Sequence, residues 1–135
     1  MISLDKNEVN KSNIFQAKNL EFYKHRNVIK GKNNTVNINP DKVNIKKMNL
    51  KIIGSNNQII IKDNCKLNIE SIHLVGDNHI LEIGSECRLT GKIAIKGEKN
   101  FIKIGNKTSF QTAYLLADES KSITIGEDCM FSSEV

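Results

Sequence analysis

Three cysteines, three histidines and 20 basic side chains carry the reactive groups of this 135-residue chain. A thiolate can attack a carbonyl, bind zinc or close a disulfide, and a neutral imidazole can take a proton from a hydroxyl. Spacing decides among these uses. Cys65 and Cys87 stand 22 positions apart, and Thr108 and Cys129 follow in two steps of 21 (87−65, 108−87, 129−108). No CxxC and no Cys/His cluster with metal-ligand spacing occurs, so no metal site is expected. His25, His73 and His79 follow no common interval, and none has a carboxylate at a matching position to orient it. All three are expected at the surface, and no catalytic residue is assigned to any of them.

The even interval of the cysteines belongs to a longer repeat. Ile61–Leu67 (IKDNCKL), Ile83–Leu89 (IGSECRL), Ile104–Phe110 (IGNKTSF) and Ile125–Phe131 (IGEDCMF) begin 22, 21 and 21 positions apart (83−61, 104−83, 125−104). Seven positions before each aligned isoleucine stands a corner residue: Gly31, Gly54, Gly76, Gly97 and, in the last copy, Asp118. Such a period marks a solenoid, in which every repeat is one coil stacked on the next. Val43 and Ile45 of the earliest copy come one residue late, which an insertion around Pro40 explains, and Leu20 and Phe22 precede Asn27 and Ile29 at the same spacing.

Apolar residues within a coil fall at i and i+2, the period of a strand and not of a helix. Val36 and Ile38, Cys65 and Leu67, and Leu50 and Ile52 represent the three pairs; later coils repeat the third as Ile72 and Leu74, Ile93 and Ile95, and Tyr114 and Leu116. Three pairs imply three short strands, parallel and in register with those of neighbouring coils, enclosing a triangular prism. Ile83 is expected inside, whereas Glu82 faces outward, where a reversal to lysine is expected to be silent. The stretches Gly31–Asn34, Gly54–Asn57, Gly76–His79 and Gly97–Asn100 supply the positive φ that a sharp corner needs. Coils stack about 4.8 Å apart. Cys65 and Cys87 are therefore close enough for a disulfide, but an inward column of Cys, Cys, Thr and Cys favours small buried side chains. Outward threonines do not recur at aligned positions, which excludes an ice-binding face.

Ile83–Arg88 and Leu89–Ala94 form consecutive hexapeptides, and with the IxIG…C units, the GxNN corners and the stretch ITIGEDCMFSS they carry a resemblance over roughly residues 27–135. The chain resembles the hexapeptide-repeat acyltransferases, most closely the branch that O-acetylates sialic acid polymers and capsular polysaccharide. The resemblance implies an all-β fold, a left-handed parallel β-helix with coils of about 21–23 residues. It also implies a homotrimer, acetyl-CoA as co-substrate, a sugar or polysaccharide acceptor and a histidine general base. In such relatives that histidine follows the CMFSS segment in a motif ending Asp-Ser-His. This sequence ends at Val135, so the cofactor-binding residues stay unassigned and no turnover is expected at this length. The expectation is an N-terminal solenoid of a longer enzyme, with a non-catalytic scaffold or polysaccharide-binding module as the alternative.

The net charge is +5 and the pI near 9.1. No nucleic-acid motif accompanies this excess, and the lysines fall on corners and outward positions, where they solubilise the chain and guard strand edges. Lys96, Lys99 and Lys103 are the alternative candidates for meeting coenzyme A phosphates or an anionic sugar. No run of 18 apolar residues and no signal-peptide pattern occurs, so no membrane span and a cytoplasmic location are expected. Free, unpaired thiols suit that reducing compartment. Residues 1–13 are expected as a loose polar cap, and 14–135 as one solenoid domain open at its C-terminal end, where Ile123, Ile125, Cys129 and Phe131 form the floor.

Overall fold

The computed structural model describes residues 14–15, 27–39 and 41–131, of which 14, 15 and 27 are described by backbone alone. The expected cap of residues 1–13, His25, Leu20 and Phe22 lie outside this set. Two kinds of strand alternate. Short strands β1 (Ile14–Phe15), β3 (Thr35–Ile38), β5 (Gln58–Ile61), β7 (Ile80–Ile83), β9 (Phe101–Ile104) and β11 (Ser122–Ile125) form one parallel sheet in that order. The others are β2 (Asn27–Lys30), β4 (Asn44–Ile53), β6 (Lys66–Asp77), β8 (Arg88–Glu98), β10 (Ser109–Asp118) and β12 (Met130–Phe131), and they form the second sheet. No described residue is helical. The molecule is an all-β parallel solenoid of about five turns, consistent with a left-handed β-helix.

Register follows the sequence period. Val36, Ile59, Leu81, Ile102 and Ile123 pair in succession, as do Ile38, Ile61, Ile83, Ile104 and Ile125. β-Branched side chains at alternate positions suit the half-buried pleat, and the inward set from Ile29 to Ile104 makes one continuous core.

Two expectations change. Three short strands per coil were expected, but the second and third walls are one long strand with a break in phase. In β6, Leu67 and Ile69 are buried, Glu70 and Ser71 both face out, and Ile72 and Leu74 are buried again. The register shift between Ile69 and Ser71 marks this corner, so one strand turns it without losing the ladder. Relative to β8, the corner of β10 carries one additional residue, between Phe110 and Ala113, as that of β6 does between Ile69 and Ser71. That residue advances the phase: Leu115 and Ala117 oppose Ile93 and Ile95, while Tyr114 and Leu116 are 62% and 46% exposed. The expected inward pair therefore faces solvent.

Glycine corners behave as the sequence implies. Gly31, Gly54 and Gly76 have φ of 125°, 141° and 114°, and a Cβ on Gly54 would stand 1.7 Å from the Gly76 carbonyl oxygen. A second series of corners was missed. Asn64, Glu86, Lys107 and Asp128 all adopt positive φ, at 57–65°, in the turn after the short strands.

Beneath the glycine corner runs a buried column of Asn34, Asn57, His79 and Asn100. The amide N–H of Asn57 donates to Asn34 Oδ1 at 3.1 Å, that of His79 to Asn57 Oδ1 at 2.9 Å, and that of Lys121 to Asn100 Oδ1 at 2.6 Å. Asn34 and Asn57 Nδ2 donate to the carbonyls of Gly54 and Gly76, each at 2.9 Å. Each side chain satisfies a donor and an acceptor that the sharp turn leaves without a ladder partner.

The core assignment makes a direct prediction. Ile83→Asp buries an unpaired carboxylate and should cost about 3–5 kcal/mol in denaturant unfolding. Glu82→Gln should cost under about 0.5 kcal/mol. Glu82→Lys is not the silent change expected, because Lys103 opposes Glu82 at 3.8 Å; like charges should cost about 0.5–1 kcal/mol. Equal losses at positions 82 and 83 would contradict the inward assignment.

Candidate functional site

Cys65, Cys87 and Thr108 stack in one buried column, at 1%, 0% and 0% exposure, with Cys129 partly exposed at its end. All three thiols are free. Their common property is a hydrogen-bond donor. Cys65 Sγ donates to the Gly84 carbonyl at 3.0 Å, Cys87 Sγ to Gly105 at 3.2 Å, and Thr108 Oγ1 to Gly126 at 2.7 Å. Each ties its own corner to that of the next coil, which is why threonine substitutes for cysteine at this position. The hydrogen bond with Cys87, followed by burial, pushes the Cys65 thiol up, so it stays protonated. Cys65 and Cys87 are structural donors buried from any substrate.

His79 was expected in an exposed corner and is instead fully buried. It takes the place of an asparagine in the polar column. Nε2 lies 2.9 Å from the Val75 carbonyl and Nδ1 lies 3.2 Å from the Asn100 amide nitrogen. An imidazole protonated on Nε2 donates to the first and accepts from the second, as an asparagine Nδ2 and Oδ1 would. Both nitrogens are committed. The signal was present in the sequence, since His79 stands three residues after Gly76 as Asn57 does after Gly54.

His73 does face outward, between buried Ile72 and Leu74. Lys51 opposes it on β4 and Ala94 on β8. Partial burial and then the fields of Lys51, Lys92 and Lys96 hold its imidazole below the ordinary value of 6.5. Lys96 is thus next to the one exposed histidine described. Lys103 is instead paired with Glu82, and Lys99 occupies a left-handed corner at φ 55°, its amide donating to the Asp77 carbonyl at 3.1 Å. The three candidate lysines do not converge.

Two of the grooves along the described coils are open and carry lysines. One, of about 730 Å³, surrounds His73 with Lys30, Lys47, Lys51, Lys92 and Glu70. The other, of about 700 Å³, places Lys46, Lys66 and Arg88 beside Leu67, Leu89 and Phe110. No group of three or more His, Cys, Asp or Glu suited to a metal ion occurs among the described residues. No described helix is long and apolar enough to cross a membrane.

The chain is 31% identical over 102 residues to a polysialic acid O-acetyltransferase of Neisseria meningitidis. Sequence and solenoid together fit a hexapeptide-repeat acetyltransferase. The match takes in 76% of this chain and 47% of the relative, so the chain spans about half the length of the curated relative it matches. No family model and no solved structure matches the chain.

Two outcomes follow. Cys87→Ala removes the donor to Gly105 and should cost about 1–3 kcal/mol, whereas Cys87→Thr should retain most stability in urea unfolding. Equal losses would deny the donor role. By NMR, His73 should titrate below 6.5, and Lys51→Gln should move it upward. The unfolded chain then binds more protons in this window, so the His73 contribution is complete above 6.5 and declines as pH falls through it.

Proposed function

We propose that this chain is the solenoid of an O-acetyltransferase that moves an acetyl group from acetyl-CoA to a hydroxyl of a surface polysaccharide. The likeness to the polysialic acid O-acetyltransferase across 102 residues carries the reading, supported by the parallel coils of this chain. In such a reaction the sugar oxygen attacks the thioester carbonyl, a general base takes the hydroxyl proton, and coenzyme A leaves as the thiolate. A rigid prism with lysine-lined grooves would hold an anionic acceptor and the phosphates of the donor. The active unit is proposed as a homotrimer in a reducing, cytoplasmic compartment, where the free thiol column stays intact.

None of the described histidines suits the base. His79 has both nitrogens occupied, and the charges acting on His73 are lysines, which favour neither its protonation nor the developing imidazolium. The isolated 135-residue chain is therefore proposed to be inactive. The same observation favours a second reading, a non-catalytic polysaccharide-binding or assembly module.

Release of coenzyme A from acetyl-CoA, measured with polysialic acid as acceptor, tests both. The chain alone should give no release above blank. A chimera in which its matched residues replace those of the meningococcal relative should transfer acetyl. Turnover by the chain alone contradicts the proposed inactivity. A chimera with intact β circular dichroism and no turnover contradicts the acetyltransferase reading.

A further inference from the structure

The column of small donors holds one pair of adjacent thiols. Cys65 and Cys87 occupy the same position of neighbouring coils, and the amide of Lys66, next after Cys65, donates to the Cys87 carbonyl at 2.8 Å. Thr108 takes this position in the following coil, so Cys129 has no thiol in the coil before it. Both sulfurs of the pair lie over a single turn. Cys65 Sγ is 3.0 Å from the Gly84 carbonyl oxygen, and Cys87 Sγ is 3.8 Å from that of Ser85, the next residue along.

Stacked positions of parallel coils are about 4.8 Å apart, inside the Cα separation of about 4.4–6.8 Å that a disulfide spans. Closing the bond therefore asks for rotation about Cα–Cβ, not for movement of a strand. The Cys65 thiol also hydrogen-bonds to Cys87 and holds it down to about 7, so Cys87 supplies the thiolate and Cys65 the second thiol. At 1% and 0% exposure the pair is closed to a bulky thiol reagent. A peroxide is close to water in size and needs only a local opening of the turn.

We propose that Cys65 and Cys87 are an oxidation site of the folded solenoid, which hydrogen peroxide joins as a disulfide between consecutive coils. The Cys87 thiolate attacks one peroxide oxygen and the O–O bond breaks. A sulfenic acid forms, and hydroxide leaves to take up the proton that Cys87 had shed. Cys65 sulfur then attacks Cys87 sulfur. The S–S bond forms, the S–O bond breaks, and the departing hydroxide carries off the Cys65 proton as water. Two thiols have given up two electrons, and one peroxide has become two waters. The carbonyls of Gly84 and Gly105 exchange their thiol donors for a covalent tie between coils. Nothing in this chemistry depends on acetyl transfer.

Cys129→Ser leaves the pair as the chain's remaining thiols, and this variant is treated with hydrogen peroxide while folded. Thiol titration and peptide mass mapping should show loss of both thiols and of two hydrogens, with a peptide linking Cys65 to Cys87. Dithiothreitol should restore both thiols, and β circular dichroism should persist throughout. Cys129→Ser/Cys87→Thr, which keeps a hydroxyl donor at position 87, should yield no link. Oxidation that ends as sulfinic acid on Cys87, a link that forms only in urea, or thiols that survive peroxide in the folded protein would each overturn the proposal.

Discussion

The solenoid depends on a buried polar column at its glycine corner. Parallel coils bury isoleucine readily, but a chain that turns sharply three times per coil leaves amides and carbonyls without ladder partners. In a prism this narrow such groups reach little water, and each one left unsatisfied would cost about 1–3 kcal/mol. Asn34, Asn57, His79 and Asn100 meet that demand from one coil to the next, and Cys65, Cys87 and Thr108 do the same at a second corner. The apolar core gives the fold its free energy, and these two columns give it its register. A slip of one residue would turn every inward isoleucine outward and break both columns at once.

Much of this was legible because the repeat is nearly exact in its inward positions. The Val36 and Ile38 columns, the cysteine column and the positive-φ glycines stand where the period places them. Two errors have physical causes. The additional corner residue of β10 shifts Leu115 and Ala117 inward, but Tyr114–Leu116 is apolar in either phase, so the pattern conceals the shift. His79 escaped because histidine is commonly a surface residue, while here its two nitrogens imitate an asparagine amide. The partners of the cysteine donors could not be read from sequence, since they are backbone carbonyls of the next coil.

The reactive residues thus divide by wall. Cys65, Cys87 and His79 are spent inside the prism on holding coils together, while the described lysines and arginine lie on its outer walls. On the third wall lysines on neighbouring strands surround His73, and on the second wall Lys66 and Arg88 are paired in register beside a row of buried leucine and phenylalanine. A solenoid repeats such groups at the coil spacing, so it presents a charged track in place of a single pocket.

Amide hydrogen exchange tests the column most directly. The N–H groups of Asn57, His79 and Asn100 sit in turns, yet each donates to a buried side chain one coil away. They should exchange as slowly as the central strand amides of Ile59 and Leu81, and the His79 N–H, whose acceptor is Asn57 Oδ1, should lose protection most in Asn57→Ala. Rapid exchange at these positions in the unaltered protein, at the rate of ordinary exposed turns, would contradict the account.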